Sequence, residues 1–598
     1  MTRIGGYAPI RDYAAIGDGR TAALVARDGS IDWLCLPDVD SGSVFGRLLD
    51  AEGGGAFELQ PDEPFDVERR YRERSNVLET TFRTNSGVVR VTDAMTVMGP
   101  ELSPMRELVR RVEGRTGAVP MRWRVTPRFD FGRAETRISR RDGRPFASGG
   151  RDAFAVSAWG AGEASCDADS IHGRFVAEQG TSSLLDLAAT HQEPCVLPCR
   201  ADVERRLDGT DGFWRDWSQR TQYEGEWREH VLRSALVLKL CVFAASGAIV
   251  AAPTTSLPEA IGGHRNWDYR FTWLRDAAFA LGALLRLGHR NEAESFFWWF
   301  MHASRLTQPR LQILYRVDGS TESAERELDW FEGYARSRPV RVGNAAADQV
   351  QLDVYGDVLD SALLFVSQGG ELDSAAGKDI ARIADHVCEI WRERDAGIWE
   401  VRGEPAHFVH SKAMCWVALD RACRLAKRGV IPDRTTRWRT EAETIRRYVK
   451  EQGFDHDRGT YVRTTDGRDV DASLLTLALF GYHDRDDRRL RSTIDAVRRE
   501  LGAGALVYRY RVDDGLGAPE GAFLACSFWL VDALARIGAV DDAKALMAEL
   551  VALSNDVGLY SEEVRESDRA FLGNFPQALV HLALVNAAVS IADAEAER

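Results

Sequence analysis

Near Asp211 the chain changes its grammar, and that change limits what it can fold into. Before it, short runs rich in strand formers alternate with turn signals. Met121-Arg122-Trp123-Arg124-Val125 and Val88-Val89-Arg90-Val91-Thr92 read as strands, and Thr21-Ala22-Ala23-Leu24-Val25 is a weaker case because of its alanines. Asp28-Gly29, Asp142-Gly143 and Asp208-Gly209 punctuate them as turns. From Glu224 onward, apolar residues recur at the helical period. Helices are expected to begin near residues 225, 272, 290, 352, 376, 410, 434, 471, 485, 520, 539 and 574, about twelve in all. Gly288 after Leu284-Leu285-Arg286-Leu287 is a stop signal.

Many short strands joined by such turns suggest a β-sandwich. Helices in pairs can make a bundle, a solenoid or a closed barrel. No fixed repeat is visible, which disfavours a solenoid. Residues 308–350 and 395–409 form long connections rich in Gly, Pro, Arg and aromatics, and loops of that length usually carry function. A closed barrel with long loops on one face fits best. The expected organisation is a β-sandwich over 1–210, a linking helix over 211–228 bearing Trp214, Trp217 and Trp227, and a helical domain over 229–598.

Composition narrows the partners. Acidic residues outnumber basic ones 91 to 77, a net charge of −14, which argues against nucleic acid. The N-terminus lacks the apolar core of a secretory signal, and no run of about 18 apolar residues predicts a membrane span. Nine scattered cysteines suggest free thiols in a reducing compartment, hence the cytoplasm. Cys195 and Cys199 near His191 resemble part of a metal site but lack a second close pair.

Four segments concentrate aromatic, acidic and arginine residues. Asn266 to Asp276 offers Tyr269, Trp273, Arg275 and Asp276: flat rings for the apolar face of a sugar, with an Arg and an Asp for its hydroxyls. The same residues could equally be a helix start and core tryptophans. Trp399-Glu400 lies in a glycine-flanked loop, where an apolar pocket would raise the carboxyl pKa and make a general acid; a solvated loop Glu is the alternative. Ser561-Glu562-Glu563 could hold one buried base and one solvated neighbour, or be a surface acidic pair. Arg509, Arg511 and Glu520 could clamp a sugar or be ordinary loop charges.

The ordered set (aromatic-x-Trp-x-Arg-Asp, then Trp-Glu, then a small residue before Glu-Glu) resembles glycoside hydrolase family 15, the glucoamylase and trehalase family. Gly19 to Val25 and Asp28 to Pro37 resemble the β domain of its bacterial trehalase-like members, so the resemblance covers nearly the whole chain. It implies a multidomain fold, a β-sandwich followed by an all-α (α/α) barrel of six hairpins. It implies inverting hydrolysis of α-glucosides, with Glu400 as general acid and Glu562 as general base. Arg275 and Asp276 match the groups that hold the terminal glucose, and Tyr269, Trp273 and Trp399 line the same subsite. Arg509 and Glu520 fall in a variable region, and Val401 replaces a second Glu of the acid loop. The expected partner is a small α-glucoside, with no metal or cofactor required, since two carboxyls supply both acid and base. Trehalose and α-1,4 or α-1,6 glucans compete as substrates, with trehalose favoured for a chain without a secretory signal. A sugar-binding protein on an inactive hydrolase fold is a third reading. The β domain either braces the barrel or brings Trp33 to the pocket.

Overall fold

The structure is a computed structural model, and it describes residues 3–97, 106–512 and 520–598. The N-terminal part is a 15-stranded antiparallel sheet. Its organising strand is Arg106–Thr126, 21 residues long. The first part of this strand pairs with Gly87–Met95 and Ser182–His191, and the later part with Ala56–Pro61 and Ile171–Glu178. All three expected strands are present, at Ala22–Ala26 and within Gly87–Met95 and Arg106–Thr126. Two of the turn signals act as read. Asp142 and Gly143, at φ 49° and 71°, close the hairpin of Arg137–Arg141 and Arg144–Gly149. Gly29, at φ 85°, turns between Ala22–Ala26 and Ile31–Cys35.

Asp208-Gly209 is not a turn. It lies inside helix α1, Arg200–Ser218, which takes the place of the linking helix expected over 211–228; residues 219–227 are non-helical. The reason is tertiary. Val203, Leu207, Trp214 and Trp217 bury one face of α1, and that burial outweighs the local turn preference. A Cβ added at Gly209 or Gly212 meets nothing within 4 Å. Each is therefore expected to gain about 0.5–1 kcal/mol on replacement by Ala, read as a higher denaturant midpoint at unchanged slope.

Twelve further helices follow: α2 (Arg228–Cys241), α3 (Arg275–Arg286), α4 (Arg290–Ser304), α5 (Val354–Ser367), α6 (Ser374–Ile390), α7 (Val409–Lys427), α8 (Thr435–Gln452), α9 (Thr476–Leu479), α10 (Arg488–Leu501), α11 (Leu524–Arg536), α12 (Val540–Val551) and α13 (Ala578–Glu597). They begin close to the positions read from the sequence. Gly288 ends α3 at φ 83°, where its own N–H and that of His289 return to the carbonyls of Leu285 and Leu284. Packing runs α3 to α5 to α7, then through the 3-10 turn Ala472–Leu475 and α9 to α11 and α13, and α13 returns to α3. α4, α6, α8, α10, α12 and α2 pack against this closed cycle. Among the described residues α13 alone is long and apolar enough to cross a membrane. It is largely buried against α11, α3 and α2, as an apolar core helix should be.

The two parts share one apolar core. Trp33 is 0% exposed and donates its indole N–H to the carbonyl of Pro253 (2.8 Å), so it braces the junction and does not line the pocket. Asn555 donates to the carbonyls of Tyr13 (2.8 Å) and Arg11 (3.1 Å), and Arg69 forms a salt bridge with Asp556 (2.7 Å). The long connection 308–350 also reaches the loops of the N-terminal part. Tyr7 donates to Glu332 (3.0 Å), Trp330 to the carbonyl of Phe131 (2.8 Å) and Tyr334 to the carbonyl of Ala8 (3.1 Å).

Candidate active site

A pocket of about 540 Å³, open space at its mouth included, lies where the long connections meet. Its wall holds Tyr269, Trp273, Trp399, Glu400 and Arg509, all named from the sequence, along with Glu259, Arg265, Trp267, Asn344, Ala346, Val401, Arg402 and Tyr510.

Glu400 sits in the loop that the sequence marked. Mutual backbone hydrogen bonds between Asp395 and Ala406 close the loop at its base. Gly397 turns it at φ 67°, where a Cβ would lie 2.9 Å from the Phe408 ring. The Gln349 amide holds the carbonyls of Glu400 (3.2 Å) and Val401 (3.3 Å). Glu400 itself adopts φ 49°, an uncommon conformation outside glycine that persists only where surroundings impose it. Its Oε1 accepts from Trp273 Nε1 (3.2 Å) and from the Arg275 guanidinium (2.8 Å). Burial pushes its carboxyl above the ordinary value, against the pull of Arg275.

Arg275 and Asp276 open α3. Arg275 is buried and also donates to Asp276 Oδ1 (2.9 Å) and the carbonyl of Ile398 (3.0 Å), so it ties the helix start to the Glu400 loop. Trp273 lies in the short strand just before, paired with Leu314–Tyr315. Trp399 is fixed by its N–H to Asp471 (2.9 Å) and by the rings of Phe523 and Trp529 at 5.6 and 5.9 Å.

Glu562 comes from the last segment. Its Oε2 accepts from the backbone N–H of Asn574 (3.3 Å), and a Cβ at Gly573 would lie 2.4 Å from that oxygen. Tyr269 lies beside Glu562, near enough for each to shift the other's titration, and the Tyr269 ring meets Trp273 edge to face at 5.2 Å. This aromatic pair lies between the two carboxylates: Trp273 donates to Glu400, and Tyr269 neighbours Glu562. Burial, helped by the neighbouring charge of Glu259, pushes Glu562 up to about 8.

Glu562 and Glu563 depart from both sequence readings, because neither is solvated: they are 1% and 0% exposed. Glu563 lies on the strand Glu563–Val564 between Ala522–Phe523 and Phe571–Leu572, and accepts from the N–H of Gly521 (2.8 Å). Its charge partner is Arg509, which also meets Glu259 and Glu520 (3.1, 2.7 and 2.6 Å). Glu520, expected at the substrate, stands behind Arg509 and pairs with Arg265 (3.3 Å). Arg511 lies over the Tyr508 ring at 4.6 Å, apart from this cluster. The oxygens of Glu259, Glu520 and Glu563 are close enough to hold a cation, but the Arg509 guanidinium already takes that position. Trp267 belongs to the aromatic segment already marked, whereas Glu259, Arg265 and Asn344 escaped sequence reasoning. Only the nearness of the first two to that segment was a signal.

Residues 225–589 match the family model "Glycosyl hydrolases family 15", and residues 5–188 match "Trehalase-like, N-terminal". The chain is 38% identical to a trehalase of Mycolicibacterium smegmatis, over 99% of this chain and 92% of that protein. It is 35% identical to a trehalase of Thermoplasma volcanium, over 99% and 95%. A bacterial glucoamylase complexed with acarbose shares the fold, with a TM-score of 0.71 over 98% of this chain and 94% of that one at 13% identity. A pocket walled by carboxylates, rings and arginines, the closed helical cycle behind it and these matches along the whole chain lead to one assignment: the protein is a glycoside hydrolase and belongs to glycosyl hydrolase family 15.

Proposed function

We propose that this enzyme hydrolyses α,α-trehalose to two glucoses with inversion. Glu400 protonates the leaving glycosidic oxygen, and Glu562 takes a proton from the attacking water. The observation that carries this reading is the placing of two buried glutamates beside neighbouring rings of the pocket wall: Glu400 accepts from Trp273, and Glu562 lies beside Tyr269, whose ring meets Trp273 edge to face. Arg275 and Asp276 hold hydroxyls of the glucose that is retained, and Trp399 and Arg509 complete its walls. Inversion requires room for a water, so the two carboxyl groups should act about 6.5–9.5 Å apart. The trehalases that match the whole chain support trehalose as the substrate. In this reading the closed helical cycle is an (α/α) barrel of six hairpins, and the sheet is a sandwich folded about Arg106–Thr126. Nine free cysteines support a cytoplasmic setting.

The test is a panel of trehalose, maltose, maltotriose and isomaltose, with the anomeric form of the product followed over time. Trehalose should yield one α- and one β-glucose. Turnover of maltotriose with trehalose untouched would reject the substrate, and two α-glucoses at the outset would reject inversion.

The pH profile follows from the two shifts. Glu562 works ionised, so kcat/KM rises as pH rises through the acid limb. Glu400 works protonated, so its own ionisation lowers kcat/KM, and the profile is a bell whichever of the two titrates first. Burial raises both groups, which moves both limbs above the usual glutamate value near about 4.3. The limbs belong to the pair and not to either residue alone. An acid limb centred at or below that value would contradict this.

A further inference from the structure

Beyond Glu400, the pocket wall continues through Val401 and Arg402 to a charged rim. The Arg402 guanidinium grips Glu325 with both terminal nitrogens, at 3.1 and 2.6 Å. Glu325 also binds Arg341 (3.2 Å) and the N–H of Ala345 (3.1 Å). Arg402 and Arg341 both lie over the Trp267 ring, at 4.1 and 4.6 Å. Trp267, Arg402, Glu325 and Arg341 thus form a closed circuit.

Its place in the pocket gives its task. Trp273, against Glu400, is 1% exposed, whereas the Arg402 side chain is 31% exposed. The closed end suits the retained glucose, and the mouth, just past the general acid, faces the group that leaves. The loop carrying Arg402 is fixed by Gln349 and by the Asp395–Ala406 bonds, so the rim is set at a defined distance from the acid.

We propose that the Arg402–Glu325 pair is the specificity determinant on the leaving-group side. It closes the mouth around one glucose, meets that glucose's hydroxyls with the guanidinium, and turns away longer α-glucan chains. This rests on the trehalose reading above. Lys at 402 keeps the charge but cannot form the two-pronged bond to Glu325.

The experiment measures kcat/KM on trehalose and on maltotriose for the wild type, Arg402→Ala, Arg402→Lys and Glu325→Gln, with thermal unfolding as a folding check. Arg402→Ala is expected to lower trehalose efficiency about 10–100-fold, the usual loss for a hydrogen bond to a charged group, while maltotriose efficiency holds or rises. Arg402→Lys and Glu325→Gln should shift the same ratio in the same direction. An equal fall on both substrates in folded variants, or an unchanged ratio, overturns the proposal and leaves the trehalose reading intact. A wild type that turns over maltotriose as well as trehalose also overturns it. A wild type inert toward trehalose rejects the substrate reading first, and the inference with it.

Discussion

Replacing Glu400 by Gln is expected to lower kcat on trehalose by about 10²–10⁴-fold or more, and Glu562→Gln by a similar factor. Gln is close in shape and keeps a carbonyl oxygen that can still accept from Trp273 and Arg275 at position 400, or from Asn574 at position 562. Folding should therefore survive, and the loss reports chemistry. The two variants should differ in one respect. A substrate with a good leaving group, such as an activated aryl α-glucoside or α-glucosyl fluoride, needs little protonation. It should recover much of the activity of Glu400→Gln and little of Glu562→Gln. Equal recovery in both, or none in either, would reverse or remove the assigned roles. Unchanged trehalose turnover would place the chemistry elsewhere.

Arg509→Met should produce the largest loss of stability. Arg509 is the shared cation of Glu259, Glu520 and Glu563, all buried or nearly so. Breaking a buried pair from one side leaves an uncompensated charge and costs about 3–5 kcal/mol. Here the stranded carboxyls can escape by taking up protons, which gives the variant a distinctive pH dependence. Burial already holds Glu259 and Glu563 above the ordinary value in the folded protein, and Arg509 opposes that shift. Without it, their folded pKa rises further while the unfolded value stays near about 4.3. A carboxyl raised in the folded state contributes stability below its unfolded pKa and loses it as pH rises toward the folded one. The gap in melting temperature between the variant and the wild type should therefore widen from pH 5 to pH 8. A gap of constant size would mean that lost packing, and not charge, is responsible.

The sequence showed its elements well because helical period and glycine stops are local. Gly288 could be read from the four residues before it. The same local logic failed at Asp208-Gly209, where Trp214 and Trp217 gain enough burial to carry a helix through a turn pair. In the site, the segments around Tyr269, Glu400 and Glu562 could be found because each is compact in sequence. Their environment could not. Glu563 is buried because Arg509 reaches it, and Arg509 also answers to Glu259, 250 residues away. Arg402 carried no signal of its own in the sequence, and the fold brings Glu325 and Trp267 to it. Pairings across such distances leave no periodic trace in the chain.

The connection 308–350 has a double allegiance. It gives the pocket Asn344 and Ala346 and gives the rim Glu325 and Arg341, yet its middle is held by Tyr7, Ala8 and Phe131 in loops of the N-terminal part. The front half is thus a mutational neighbour of the catalytic centre, although the Tyr7–Glu332 contact joins positions 325 residues apart. A backbone shift at these three positions is a shift in the wall of the sugar pocket. A front half exchanged for that of another family member is therefore expected to reach the pocket through this connection.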